Sequence, residues 1–177
     1  MSMAKLRKML GRADDPEIIA LMRLMETQSS RTLACFAADY ARENWLPIYE
    51  AHCPQDGRVC EALDAAAAWA RGEIKAAPAK EKIRAAVCAA KEAQENPVAQ
   101  AAARAAATAA GVMGTPTNAP GMCFYGAAAV AYHTLGVCAP AGDYDEAVAR
   151  EFMRVHEALS RAAVPDEANP ARINWNC

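Results

Sequence analysis

Between Arg104 and Asp143 the chain carries no aspartate, glutamate, lysine or arginine. A run of that length without charge has to be enclosed by other segments, cross a membrane, or face another chain. Its apolar helix, Gly121 to Cys138, contains His133 and the glycines Gly121, Gly126 and Gly136, with no charged flank nearby. Those features disfavour a membrane span. A helix that is apolar on all sides is normally buried, so this segment is expected to be a central helix sheathed by others. A homodimer interface through the same helix is the alternative use.

The rest of the composition fits that reading. Roughly a quarter of the residues are alanine, the strongest helix former, while β-branched and aromatic residues are scarce. The expected fold is all-α, a bundle of six to eight helices around the uncharged one. At 177 residues the chain suits a single helical domain, 1–177. A basic N-terminal arm, 1–12, carries Lys5, Arg7, Lys8 and Arg12, and an irregular tail runs over 165–177. The arm is followed by Asp14, Asp15 and Pro16 rather than by the apolar run of a secretory signal. Seven irregularly spaced cysteines, the last at Cys177, read as reduced thiols. Both features favour a cytoplasmic location.

Helix signals recur along the chain. Asp15 can cap a helix with Pro16 at its first position, leading into Ile18, Leu21, Met22 and Met25. Ser29 or Ser30 opens the next, with Leu33, Phe36, Ala37 and Tyr40 on its buried face, and Pro47 breaks it near Trp45. Pro54-Gln55-Asp56-Gly57 is a turn, followed by a helix from Arg58 with Val59, Leu63, Ala66 and Ala70 inward and a stop at Gly72. Pro78 and Asn96-Pro97 start two more helices. In the second of these, Gln100, Arg104 and Thr108 form a polar stripe at four-residue spacing that faces water or a polar partner, with alanine around it. Asp143 with Glu146 reads as a capping box. The final helix turns Val148, Phe152, Val155 and Leu159 inward, and Glu146/Arg150 and Glu157/Arg161 are spaced as surface pairs. Ile173 and Trp175 are candidate anchors for the tail.

Catalytic chemistry has little to stand on. His52, His133 and His156 are the only histidines, and none follows a glutamate by three residues, the helical spacing of di-iron carboxylate bundles. His52, Cys53 and Cys60 lack the second close pair of a structural zinc site. No glycine-rich loop matches a nucleotide fingerprint. Catalytic residues, a metal site and a cofactor are therefore not assigned. A net charge of -2 gives no reason to expect nucleic acid.

Four segments carry a resemblance. They are Arg31-Thr-Leu-Ala-Cys-Phe-Ala-Ala-Asp39-Tyr-Ala, Leu46-Pro-Ile-Tyr-Glu50, Pro54-Gln-Asp-Gly-Arg58 and Ala68-Trp-Ala-Arg-Gly-Glu73. In this order they resemble the alanine-rich helical immunity proteins of bacterial polymorphic toxin systems, over roughly residues 31–133. Val59 and Asn118 stand where that family often has proline and histidine. The resemblance implies a non-enzymatic protein that neutralises a cognate toxin by binding it. Candidate partner-binding residues are Asp56, Arg58, Arg71, Glu73, Thr117 and Asn118, because loops on rigid helices are where binding residues concentrate. Asp39 and Trp69 are assigned structural roles, Trp69 as a core anchor and Asp39 as an ion-pair partner for Arg58. The competing reading is a helical small-ligand-binding or regulatory domain with a pocket beside the central helix. It predicts an enclosed cavity of several hundred Å³ near Tyr132 or His133.

Overall fold

The structure, a computed structural model, describes residues 6–175. Lys5 and Cys177 lie outside the described residues. Among those described, the chain forms eight α-helices and no strands: α1 Pro16–Met25, α2 Ser30–Asn44, α3 Leu46–His52, α4 Arg58–Ala70, α5 Ala76–Glu92, α6 Pro97–Gly111, α7 Asn118–Leu135 and α8 Ala141–Ala162. The expected all-α multi-helix architecture is the one observed.

Local chemistry sets most of the boundaries. Asp15 accepts a hydrogen bond from the Glu17 amide with Pro16 at the first helical position, and Asn96 accepts from the Ala99 amide ahead of Pro97. Ser29 caps α2 by accepting from the Thr32 amide. Gly72 adopts φ +78 just past α4, a conformation that suits glycine at a helix end. The capping box at Asp143 is not formed. Here α8 begins two residues earlier, after Pro140, which leaves Asp143 inside the first turn. Nor do Glu146/Arg150 and Glu157/Arg161 appear among the ion pairs of the described residues.

The hub of the bundle is α6, which packs against α2, α3, α4, α5 and α7. Nine of its alanines are buried. Small side chains let neighbouring backbones approach closely, and alanine loses no side-chain entropy when buried. Bulk is supplied around this hub by Trp45, Tyr49, Ile18, Leu21, Met25, Leu33, Leu63, Met122, Phe152 and Leu159, all nearly inaccessible. The uncharged run thus spans the end of α6 and the whole of α7. Helix α7 lies against α6 and α8, and also touches α1, α2 and α3. It starts at Asn118 and stops at Leu135, so Cys138 lies beyond it and is exposed. Among the described residues, no helix is long and apolar enough to cross a membrane.

The described segments before α1 and after α8 are both tied to this body. In the N-terminal arm, Leu10 is buried, its amide donates to the Phe124 carbonyl, and the Tyr132 hydroxyl donates to the Arg7 carbonyl. The C-terminal tail clasps the start of α2. Glu167 accepts from the Ser29 amide (2.7 Å), the Ser29 hydroxyl (2.8 Å) and the Thr32 hydroxyl. Gln28 is bonded through its side chain to both backbone groups of Val164, and its carbonyl accepts from the Ala171 amide. Ile173 packs against the core, and the Trp175 indole donates to Glu26. The tail is irregular, as expected, but closely tethered.

Candidate interaction surface

The turn Asp56–Arg58 comes after α3 and opens α4. Asp56 accepts from the Arg58 amide, from both Nε and Nη2 of Arg58 at 2.9 and 2.6 Å, and from the Tyr49 hydroxyl at 2.8 Å. Arg58 also reaches Glu92 at the end of α5, at 2.6 and 3.2 Å. The Arg58 guanidinium, with help from Tyr49, holds the Asp56 carboxyl well below the usual carboxylate range despite its partial burial. The Tyr49 hydroxyl is pushed up by burial and by the neighbouring carboxylate. This network joins α3, α4 and α5. It satisfies both Asp56 and Arg58 internally, so the turn acts first as a staple, leaving little free valence for a partner.

The ion pair expected between Asp39 and Arg58 is not formed. Arg58 is occupied by Asp56 and Glu92, and the exposed Asp39 instead accepts from the Cys35 thiol one helical turn away. Burial and Asp39 raise the Cys35 thiol above its ordinary value, and Arg71 opposes them. Asp39, Cys35 and Arg71 are thus within electrostatic reach of one another where the end of α4 meets α2. Arg71 grips Glu73 bidentately at 2.7 and 3.1 Å, and both side chains are about half exposed.

Trp69 belongs to this face and packs against the edge of the core. It is half-buried near the end of α4, where Ala68 and Ala70 are half-buried as well. The Arg31 guanidinium stacks 4.7 Å from its ring centroid and donates to the Trp69 carbonyl at 2.5 Å, a cation–π contact reinforced by helix capping. The four resembling segments therefore separate into two groups in space. The Leu-Pro and Pro-Gln-Asp-Gly-Arg pieces build the staple at the start of α4, while the Asp39 and Trp69 pieces meet at its other end, about 18 Å away along a helix of this length.

Thr117 and Asn118 lie apart from both groups, at the start of α7. Thr117 accepts from the Asn174 amide and so helps moor the tail. Asn118 is half-buried and lines a groove between α5, α6 and α7. Of the polar stripe on α6, Gln100 donates to the Ala90 carbonyl at 2.9 Å, whereas Arg104 and Thr108 are half-buried along the same groove.

Sequence reasoning missed one buried polar cluster. Glu151 on α8 is 1% exposed, and its Oε1 accepts from the Tyr40 hydroxyl and the Trp45 indole N–H, each at 2.9 Å. Its other oxygen faces Arg154 at 3.2 Å, and Arg154 continues to the Asn44 side chain. Burial raises the Glu151 carboxyl, against the lowering effect of Trp45, Tyr40 and Arg154. Tyr40 and the fully buried Cys123 are pushed up by burial and by the Glu151 charge. Perturbed groups often mark functional sites, but here they join α2, α7 and α8 inside the core. The signal was present in the sequence, since Glu151 falls between Val148 and Val155 on the otherwise apolar face of α8.

A family model described as "Imm-5 like putative immunity protein" matches residues 23–159. No curated protein and no solved structure matches the chain.

Proposed function

Because the chain belongs to this family of Imm-5 like immunity proteins, we propose that it neutralises a cognate toxin of a bacterial polymorphic toxin system by binding it in the cytoplasm. The observation that carries this reading is the extent of the match, which runs from within α1 almost to the end of α8. It therefore covers α2 to α7 in full and most of α8, rather than one alanine-rich helix.

The physical form of the molecule supports a binding mechanism. A tightly packed helical body holds short polar turns in fixed positions, so little ordering entropy is lost when a partner docks. Charged groups at such turns select partners and speed encounter. The Trp69, Arg71 and Glu73 end of α4, with Arg31 and Asp39 beside it, is a suitable surface. It combines an aromatic residue and arginines, the residue types that dominate binding energy in interfaces. Asp56 and Arg58 serve this reading indirectly, by holding α4 in place.

The competing readings find less support. The cavities beside α6 and α7, about 400 and 480 Å³, are grooves open to solvent rather than an enclosed ligand chamber. Much of the apolar surface of α7 is spent on α6 and α8 within one copy, which leaves less of it for homodimerisation. The deciding experiment is to express the toxin encoded beside this gene with and without the protein, and to mix the two purified proteins in a calorimeter. Rescue of growth with measurable association is the expected result. A toxin that kills equally in its presence, with no heat of binding, overturns the proposal.

A further inference from the structure

Two adjoining cavities along α6 share Arg104 and Lys8 in their linings and are taken together as one groove. The first is also lined by Leu6, Arg7, Gln94, Pro97, Gln100, Ala101 and Tyr132. The second is lined by Ile83, Val87, Ala90, Lys91, Ala107 and Tyr125 among others. No aspartate or glutamate lines either part. None of Arg7, Lys8, Lys91 and Arg104 takes part in an ion pair among the described residues. Four unneutralised cations along one groove are unexpected in a chain of net charge -2.

The arrangement is built from three sources. Helix α5 presents Ile83, Val87 and Lys91 at four-residue spacing, with Val87 40% exposed. Helix α6 supplies Arg104, the one charge on its alanine surface, half-buried and held between small neighbours. The N-terminal arm, pinned by Tyr132 and Leu10, delivers Arg7 and Lys8 to the opposite wall. An apolar floor of Ile83, Val87, Ala90, Ala107 and the Tyr125 ring is therefore bordered by positive charge.

We infer that this groove docks an acidic, amphipathic segment of a partner protein, with apolar side chains set on the α5–α6 floor and carboxylates against Arg104, Lys91 and Lys8. Charge complementarity selects the occupant. Arg104 offers a planar guanidinium suited to bidentate carboxylate recognition, and the aliphatic stems of Lys8 and Lys91 can lie along apolar side chains. A single-stranded nucleic acid fits less well, because such grooves rely on successive aromatic platforms and the second, apolar part of this groove offers only Tyr125. The inference rests on the neutralisation proposal in one respect: the partner carrying the segment is the toxin.

The test uses the whole protein and three fluorescein-labelled probes in polarisation titrations. The first is a peptide of about 18 residues, roughly five helical turns, with leucine on one face and glutamate on the other. The second is its lysine counterpart, and the third is a thymidine oligonucleotide. Binding of the acidic peptide is expected, weakening as the Debye length falls from about 10 Å to about 3 Å between 0.1 and 1 M salt. The pair Arg104→Glu and Lys91→Glu should weaken it by about tenfold or more, since juxtaposed like charges are strongly unfavourable. Lys91→Glu alone, at an exposed position that leaves the core untouched, should weaken it in the same direction, with thermal melts of both variants confirming the fold. Preference for the lysine peptide or the oligonucleotide, no binding of the acidic peptide, or equal binding by the reversed variants overturns the inference. Toxin rescue separates the two proposals. If wild type and the reversed variant rescue equally, the groove assignment fails and neutralisation stands. If wild type does not rescue, neutralisation fails and the peptide titration alone judges the groove.

Discussion

Substituting Gly126→Ala should test how tightly α7 is keyed to the rest of the bundle. A Cβ added there would lie 2.0, 2.3 and 2.8 Å from Cζ2, Cε2 and Cη2 of Trp45, well inside van der Waals contact. The indole cannot simply swing aside. It is fully buried and its N–H is bonded to the Glu151 carboxylate at 2.9 Å. Overpacking of this kind costs about 1–3 kcal/mol. Losing a hydrogen bond to a buried charged group costs about 1.5–3 kcal/mol more. The better helix propensity of alanine returns about 1 kcal/mol. The expected net loss is on the order of 3 kcal/mol, a large share of a typical domain's stability of about 5–15 kcal/mol. Urea titration followed by far-UV circular dichroism would read it as a lower midpoint at unchanged slope. Trp45→Phe should relieve part of the clash, so the double variant should lose less stability than the two single losses combined. A Gly126→Ala protein as stable as wild type, or more so, would refute the argument. Helix propensity would then outweigh packing, and the indole would not be held in place.

Three further outcomes follow from the polar contacts. Glu151→Gln should flatten the pH dependence of stability: because burial raises the folded carboxyl, its stabilising contribution is complete below the unfolded value and is lost as pH rises through the folded one. Urea midpoints between about pH 4 and 8 for both proteins, bracketing the unfolded value near 4.3, would show whether the wild-type decline disappears. Glu167→Ala removes three bonds at the start of α2 and should cost about 1–2 kcal/mol, the usual worth of a cap. Burial raises the Glu167 carboxyl, but bonds from Thr32 and Ser29 outweigh it and leave it lowered, so its contribution should be present above the unfolded value and vanish as pH falls through the folded one. Asp56→Asn should lower the melting temperature and cost about 1.5–3 kcal/mol, the range for a hydrogen bond to a charged group, while Arg58 keeps Glu92; an unchanged melt would show that the staple is not structural.

What was legible in the sequence was mostly local. Asp15, Asn96 and their following prolines act through atoms two or three residues away, so their spacing alone reveals the caps. The apolar faces of α2, α4 and α8 follow from helical periodicity, a property of one segment. The capping box failed for a related reason: Pro140 allows α8 to begin at Ala141, and Asp143 is then too late to cap it. The Asp39–Arg58 pair does not form because opposite charge alone does not set proximity: Arg58 has Asp56 two residues away and Glu92 across the α4–α5 contact. The groove at Arg104 is assembled from α5, α6, α7 and the N-terminal arm. One wall of it was visible as a polar stripe, but its depth and its lack of acids depend on which helices meet there. Trp45 and Glu151 are separated by 106 residues, and no pattern in either neighbourhood points to the other.

The clasp of the tail on α2 also has a consequence in time. Thr32 and Glu167 stand 135 residues apart, so on a chain made at about 5–20 residues per second the partner arrives roughly 7 to 27 seconds later. During that interval the first turn of α2 has only Ser29 to close it. The clasp therefore closes from a later-made segment back onto an earlier-made one. A growing chain should remain open to proteases near Gln28 until residues 164–171 have left the ribosome, and become resistant there in a single late step.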